Sequence, residues 1–202
     1  GRAAATAPAT TPRGRTGSAL LRDFARGQGL AVNGGVVNDT VMGGRSQSRL
    51  SVTSAGALFE GEVTRHGGGG FASVRFEPRD SQAFARLLRS GTGIAFTVRC
   101  SRGCSAWKIQ LTERGGMFSG SGTQWQADFT APSQESKLKV PFASLRPSWR
   151  GQPSGSPGIS ADGLDSIASF GFMLSFLTSN GSESRAFQEG PFALTISSVE
   201  VY

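Results

Sequence analysis

The segment Ile94–Leu111 reads IAFTVRCSRGCSAWKIQL, and its two ends carry one pattern. Ile94, Phe96 and Val98 alternate with Ala95, Thr97 and Arg99, while Trp107, Ile109 and Leu111 alternate with Lys108 and Gln110. Strand side chains point to opposite faces with a period of two, so this pattern predicts half-buried antiparallel strands. Trp125, Ala127 and Phe129, set against Gln126, Asp128 and Thr130, predict another. Ile167–Leu177, IASFGFMLSFL, is apolar at most positions and reads as a central strand. Near the C-terminus Phe192, Leu194 and Ile196 share a face before Val199 and Val201 take over, and that phase change predicts a bulge at Ser197-Ser198.

Ala57–Val63 and Phe71–Glu77 are short runs bounded by glycine, with His66–Gly70 as the loop between them. Only Asp80–Arg89, DSQAFARLLR, has helical spacing, with Asp80 as the N-cap ahead of Phe84, Leu87 and Leu88. Gln152–Ser160 is a Pro/Gly/Ser loop, and Thr178–Glu189 a polar loop shaped as a hairpin tip between two late strands. About eight strands and one short helix predict an all-β sandwich or jelly roll.

Composition agrees. The 202 residues include 29 Gly and 14 Phe but one Tyr, which suits short strands joined by tight turns. No apolar run approaches the roughly 20 residues of a membrane span, so any membrane association is peripheral. The organisation is a basic low-complexity tail at 1–17, GRAAATAPATTPRGRTG, and one folded domain at 18–202. The tail lacks the apolar residues to fold alone. Being basic, rich in Ala and Thr and free of acids, it has the character of an organellar transit segment, and places the protein in a chloroplast or mitochondrion.

The net charge is +7, and of the 21 basic residues only Lys108, Lys137 and Lys139 are lysines. Arginine favours bidentate contacts with carboxylates, so the expected partners are acidic protein subunits, with Arg2, Arg13, Arg15, Arg75 and Arg150 as candidate contacts. The absence of an aromatic RNA-binding motif or a dense Lys/Arg run argues against nucleic acid.

No catalytic, metal or cofactor site is expected. His66 is the only histidine and has no nucleophile context. Gly67–Gly70 is followed by a strand and lacks the Gly-Lys-Ser/Thr of a phosphate loop, so it serves close backbone approach. Glu60 and Glu62 share a strand face, and two exposed acids on an edge strand are the preferred reading over a glycosidase pair. Cys100 and Cys104 would face each other across a three-residue hairpin, where a disulfide is conceivable; two free thiols are preferred, and two Cys with one His fall short of a zinc site. Asn38-Asp39-Thr40 and Asn180-Gly181-Ser182 are glycosylation sequons that matter only in a secreted protein. Asn38, Asp39, Thr40, Gly43, Gly44 and Ser46 form either a buried corner locking the sandwich edge, which is preferred, or a polar partner surface.

Val37–Ser48 (VNDTVMGGRSQS), Gly67–Phe76 (GGGGFASVRF), Val140–Gly151 (VPFASLRPSWRG), Ile167–Ser175 (IASFGFMLS) and Gly190–Tyr202 (GPFALTISSVEVY) follow in this order. The chain thereby resembles, from about Leu20 to Tyr202, the thirty-kilodalton complex I intermediate-associated protein family of assembly factors for NADH:ubiquinone oxidoreductase. The resemblance implies a galactose-binding-like jelly-roll β-sandwich and a non-catalytic scaffold for assembly intermediates. The family usually has a Trp shortly before the Asn-Asp pair, where Gly34 stands here, and Thr178–Glu189 looks like an insertion. The expected function is a non-enzymatic scaffold of a large membrane-associated bioenergetic complex in an organelle. A linker subunit of a phycobilisome or photosystem is the variant of that reading. A carbohydrate-binding module ranks below both, since Trp107 and Trp125 alternate like core residues and leave few aromatics to stack on a glycan.

Overall fold

The computed structural model describes residues 17–115, 122–149 and 151–202. Arg2, Arg13, Arg15 and Arg150 lie outside the described residues. The strands are β1 (Ala19–Asp23), β2 (Gln28–Gly29), β3 (Val32–Asn38), β4 (Gln47–Thr53), β5 (Gly56–Val63), β6 (Phe71–Pro78), β7 (Gly93–Arg102), β8 (Trp107–Glu113), β9 (Gln124–Phe129), β10 (Ser136–Pro141), β11 (Arg146–Trp149), β12 (Gln152–Pro153), β13 (Ile167–Ser175) and β14 (Gly190–Val201). Helix α1 is Ser81–Arg89 and helix α2 is Ala161–Ser166. No helix among the described residues is long and apolar enough to cross a membrane.

The strands form two antiparallel sheets. Sheet B runs β12-β11-β9-β8-β13-β6-β3. Sheet A is organised by the long β14, which pairs with β7 along one edge, and β7 with β10. The other edge of β14 carries two strands end to end. Its first half, Gly190–Ile196, pairs with β5, and its last residues pair with β1. The register shift against β7 falls between Ile196 and Ser198, as the phase change predicts. It lies where β14 exchanges one neighbour for the next, and there the Ser197 carbonyl accepts the Phe24 amide at 2.9 Å.

Between the sheets sit Phe59, Phe96, Trp107, Phe170, Phe172 and Phe192, all wholly or almost wholly buried. Their rings meet edge-on or tilted, as in Phe59–Trp107 at 6.1 Å and Phe96–Phe172 at 5.3 Å between centroids. Such pairs add about 1 kcal/mol each beyond area burial. Helix α1 starts where Asp80 accepts the Ala83 amide at 2.8 Å, and it buries Phe84 and Leu88.

Several expectations are corrected. Beyond the Pro/Gly/Ser loop stands a second short helix, α2, where one helix was expected; it is capped by Ser160 Oγ on the Gly163 amide at 3.1 Å, and at six residues with one buried side chain it carries no readable period. Cys100 and Cys104 are disulfide-bonded, which overturns the free-thiol reading, and their Cα atoms lie 5.5 Å apart. They do not face each other across a hairpin: β7 belongs to sheet A and β8 to sheet B, so the connection at 103–106 is a crossover. Thr178–Glu189 likewise crosses between sheets from β13 to β14 and is no hairpin tip. β5 is flanked by β4 and β14, so Glu60 and Glu62 are not on an edge strand. Finally, β8 is buried on both faces: Lys108 is 2% exposed and Gln110 4%, where alternation predicts solvent.

Candidate functional site

The motif residues around Asp39 converge. Asp39 is wholly buried at the start of a 3-10 turn, Asp39–Met42. Its Oδ1 accepts the Ser46 amide at 2.9 Å; its Oδ2 accepts the Ser46 hydroxyl at 2.6 Å and the amides of Gly70 at 2.7 Å and Phe71 at 3.3 Å. One carboxylate thus ties the turn to the approach to β4 and to the first residue of β6. A buried charge tolerates its site when donors surround it in this way. Gly43 ends the turn at φ 90°, in the left-handed region. A Cβ on Gly44 or Gly69 would strike the Asp39 carboxylate, and one on Gly67 the Gly43 carbonyl. Asn38 Oδ1 accepts the Ser48 hydroxyl at 2.5 Å, while Thr40 is exposed and its carbonyl accepts the Gly43 amide at 3.2 Å.

Sheet B holds a polar layer on the face turned away from the core. Cross-strand pairing arranges it in three rows. The first runs Ser73, Met173, Lys108, Asp128. The second runs Gly35, Arg75, Gly171, Gln110, Gln126, Arg146. The third runs Ser169, Thr112, Gln124, Ser148. Gln110 Nε2 reaches Gln124 and Gln126 at 3.4 Å each, at the long end for a hydrogen bond. Gln124 Nε2 and Ser148 Oγ are buried without a hydrogen-bond partner among the described residues.

Two cations belong to this face. Arg75 lies half-buried in a lane whose neighbours on both strands are glycines, Gly35 and Gly171, and its guanidinium forms no hydrogen bond among the described residues. Burial pulls its pKa down against the attraction of Glu77. Lys108 faces Asp128 directly across the ladder. Burial lowers its pKa from 10.5 to about 8, opposed by the Asp128 charge. Asp128 is itself held by the Ser179 amide at 2.9 Å and the Ser179 hydroxyl at 2.5 Å.

The remaining residues do not join a reactive centre. His66 is exposed on its loop, with its amide donating to Thr64 Oγ1 at 3.2 Å. Among the described residues no cluster of three or more His, Cys, Asp or Glu side chains could hold a metal ion. Lys108, Gln110 and Gln126 were missed in the sequence because a lysine or glutamine in an alternating strand reads as solvent-facing. The available signal was that β8 and β9 both place amides at the positions that pair, which is visible only once the pairing is known.

Two seven-stranded antiparallel sheets, a phenylalanine-rich interior and a polar outer layer define a galactose-binding-like jelly-roll β-sandwich. The chain belongs to the complex I intermediate-associated protein 30 (CIA30) family, whose sequence profile matches residues 23–196. Similar solved structures include the family 11 carbohydrate-binding module from Clostridium thermocellum in complex with a β-1,3-1,4-mixed-linked tetrasaccharide, at 18% identity and a TM-score of 0.53, covering 91% of this chain and 94% of that one. A second structure of a family 11 module from the same organism gives 18% and 0.52, over 92% and 94%. An agarase gives 13% and 0.53, covering 91% of this chain but 26% of the agarase. At such identities the likeness is one of fold. No curated protein sequence matches the chain. Gly34 lies against Leu50, whose Cδ2 would sit 2.6 Å from an added Cβ; the leucine occupies the space a larger side chain would need.

Proposed function

We propose that this protein is a non-enzymatic scaffold in the assembly of respiratory complex I, acting in association with mitochondria and binding acidic partner subunits. Family membership supports the complex I role and the mitochondrial association. The observation that carries protein binding is Arg75. A guanidinium left half-buried without a hydrogen bond costs free energy in the isolated domain, and a partner carboxylate in the glycine-walled lane would offset that cost. Arg146 closes the same row at its far end.

The non-enzymatic reading is supported by the surroundings of two candidate acid–base groups that the sequence offers. His66 is exposed on a loop, and Glu60 is held by Arg49 at 2.8 Å. The photosynthetic linker reading ranks below, since the family is one of complex I. Glycan binding also ranks below. Trp107 is wholly buried with its indole on the Gly103 carbonyl at 2.7 Å, and the Trp125 indole donates to Glu113 Oε1 at 2.9 Å. Only Trp149, 46% exposed, among the tryptophans offers much surface to a sugar.

The test is affinity capture of the full chain from solubilised mitochondria, with Arg75→Glu alongside. Complex I subunits should co-purify and diminish with the variant. Retention on a β-glucan column without complex I subunits would replace this reading with the glycan one.

A further inference from the structure

Sheet A carries a second surface on its own outer face, across the sandwich from the Arg75 lane. Over β4, β5, β14 and β7 the paired positions run Arg49, Glu60, Ala193, Arg102 in one row and Ser51, Leu58, Thr195, Arg99 in the next. The middle strand contributes short side chains, Ala193 and Thr195, and both flanks contribute long charged ones. The result is an open trough of about 540 Å³.

Its charges are not all used. Arg49 is committed to Glu60, with Nε at 3.1 Å and Nη2 at 2.8 Å from Oε1. Arg99, Arg102 and Glu62 also line the trough, and none of them forms a side-chain hydrogen bond or ion pair among the described residues. Arg99 and Arg102 are three residues apart and would face opposite ways on a regular strand. The register shift opposite Ala193 and Leu194 rephases the chain and brings both into the trough. The Cys100–Cys104 disulfide closes the loop that holds this bulge.

We infer that this trough docks an extended acidic segment of a partner protein, with carboxylates on Arg99 and Arg102 and a basic residue beside Glu62. The inference rests on the reading that the chain binds proteins, and adds a second surface to it. Two free arginine forks on one wall match carboxylates. Glu60 and Glu62 on the opposite side disfavour a uniformly anionic polyphosphate, so a polypeptide of mixed charge fits better than a nucleic acid.

The probe is a fluorescein-labelled peptide of alternating Glu and Ser ending in Lys, titrated with the full chain by fluorescence anisotropy at low salt. Arg99→Glu with Arg102→Glu should weaken binding at least about tenfold, and Glu62→Lys should tighten it for a probe lacking the Lys. Arg86→Glu, at an exposed position on helix α1, should leave it within about twofold. If the double variant melts early, Arg99→Gln with Arg102→Gln replaces it and should weaken binding in the same direction. Unchanged binding by the double variant, equal weakening by Arg86→Glu, or equal affinity for a single-stranded oligonucleotide overturns the proposal. The scaffold reading fails separately: complex I subunits would then be missing from the captured material while the peptide still binds.

Discussion

Asp39 and Ser46 meet twice, through the Ser46 amide at 2.9 Å and the Ser46 hydroxyl at 2.6 Å, and the hydroxyl in turn accepts the Thr64 amide at 3.1 Å. The corner therefore links three strands through two side chains. Asp39→Ala leaves the Gly70 and Ser46 amides buried and unpaired, and should cost about 3 kcal/mol or more of unfolding free energy. Asp39→Asn keeps one acceptor and should cost less. Urea denaturation at neutral pH checks both, and an Asp39→Ala midpoint equal to the parent would show that the corner adds nothing to stability.

Two glycines give opposite outcomes. A Cβ on Gly44 collides with the Asp39 carboxylate, whereas one on Gly35 meets nothing within 4 Å. Gly44→Ala should destabilise by about 2 kcal/mol or more, and Gly35→Ala should be neutral or slightly stabilising, since alanine loses less entropy in a strand. Thermal melts of the pair decide it.

Lys108 makes stability depend on alkaline pH. Its pKa is about 8 in the folded chain against an ordinary 10.5. Below pH 8 both folded and unfolded states hold the proton, and the fold carries the full cost of a buried charge. Between 8 and 10.5 the unfolded chain binds more protons, so stability rises with pH; above 10.5 the cost is gone. A drop of this size corresponds to about 3 kcal/mol at most. Lys108→Met should therefore stabilise the protein at pH 7, and the gain should shrink as pH passes from 8 to 10.5. A gain independent of pH would assign it to packing instead.

The disulfide spans few residues, and chain-entropy arguments allow such a short loop about 2 kcal/mol. Cys100→Ser with Cys104→Ser should lower stability by no more than that, with the jelly roll intact by circular dichroism. Loss of the fold would show that the crossover between sheets depends on the bond.

Much of the architecture was legible because period-two patterning is a local property. Ile94–Val98, Trp107–Leu111 and Phe192–Val201 declare their inner faces without knowledge of partners, and a phase break in β14 appears in the sequence as plainly as in the ladder. Asp80 and the Phe84, Leu88 spacing declare α1 in the same way. The motif around Asp39 was recognisable by its residues, and its family followed from that.

Pairing was not local, and everything that depends on it stayed hidden. Whether β7 and β8 form a hairpin or cross between sheets is decided by which ladders β14 and β13 complete, and that choice put Cys100 beside Cys104 on a crossover. The same choice set Arg75 between two glycines, buried Lys108 against Asp128, and brought Arg99 and Arg102 into one trough. Sequence by itself determined the sandwich, its core and its family, since those follow from alternation and from five motifs in order along the chain. Tertiary structure alone decided which charges stand unpaired, because a charge's environment is set by the strands laid beside it.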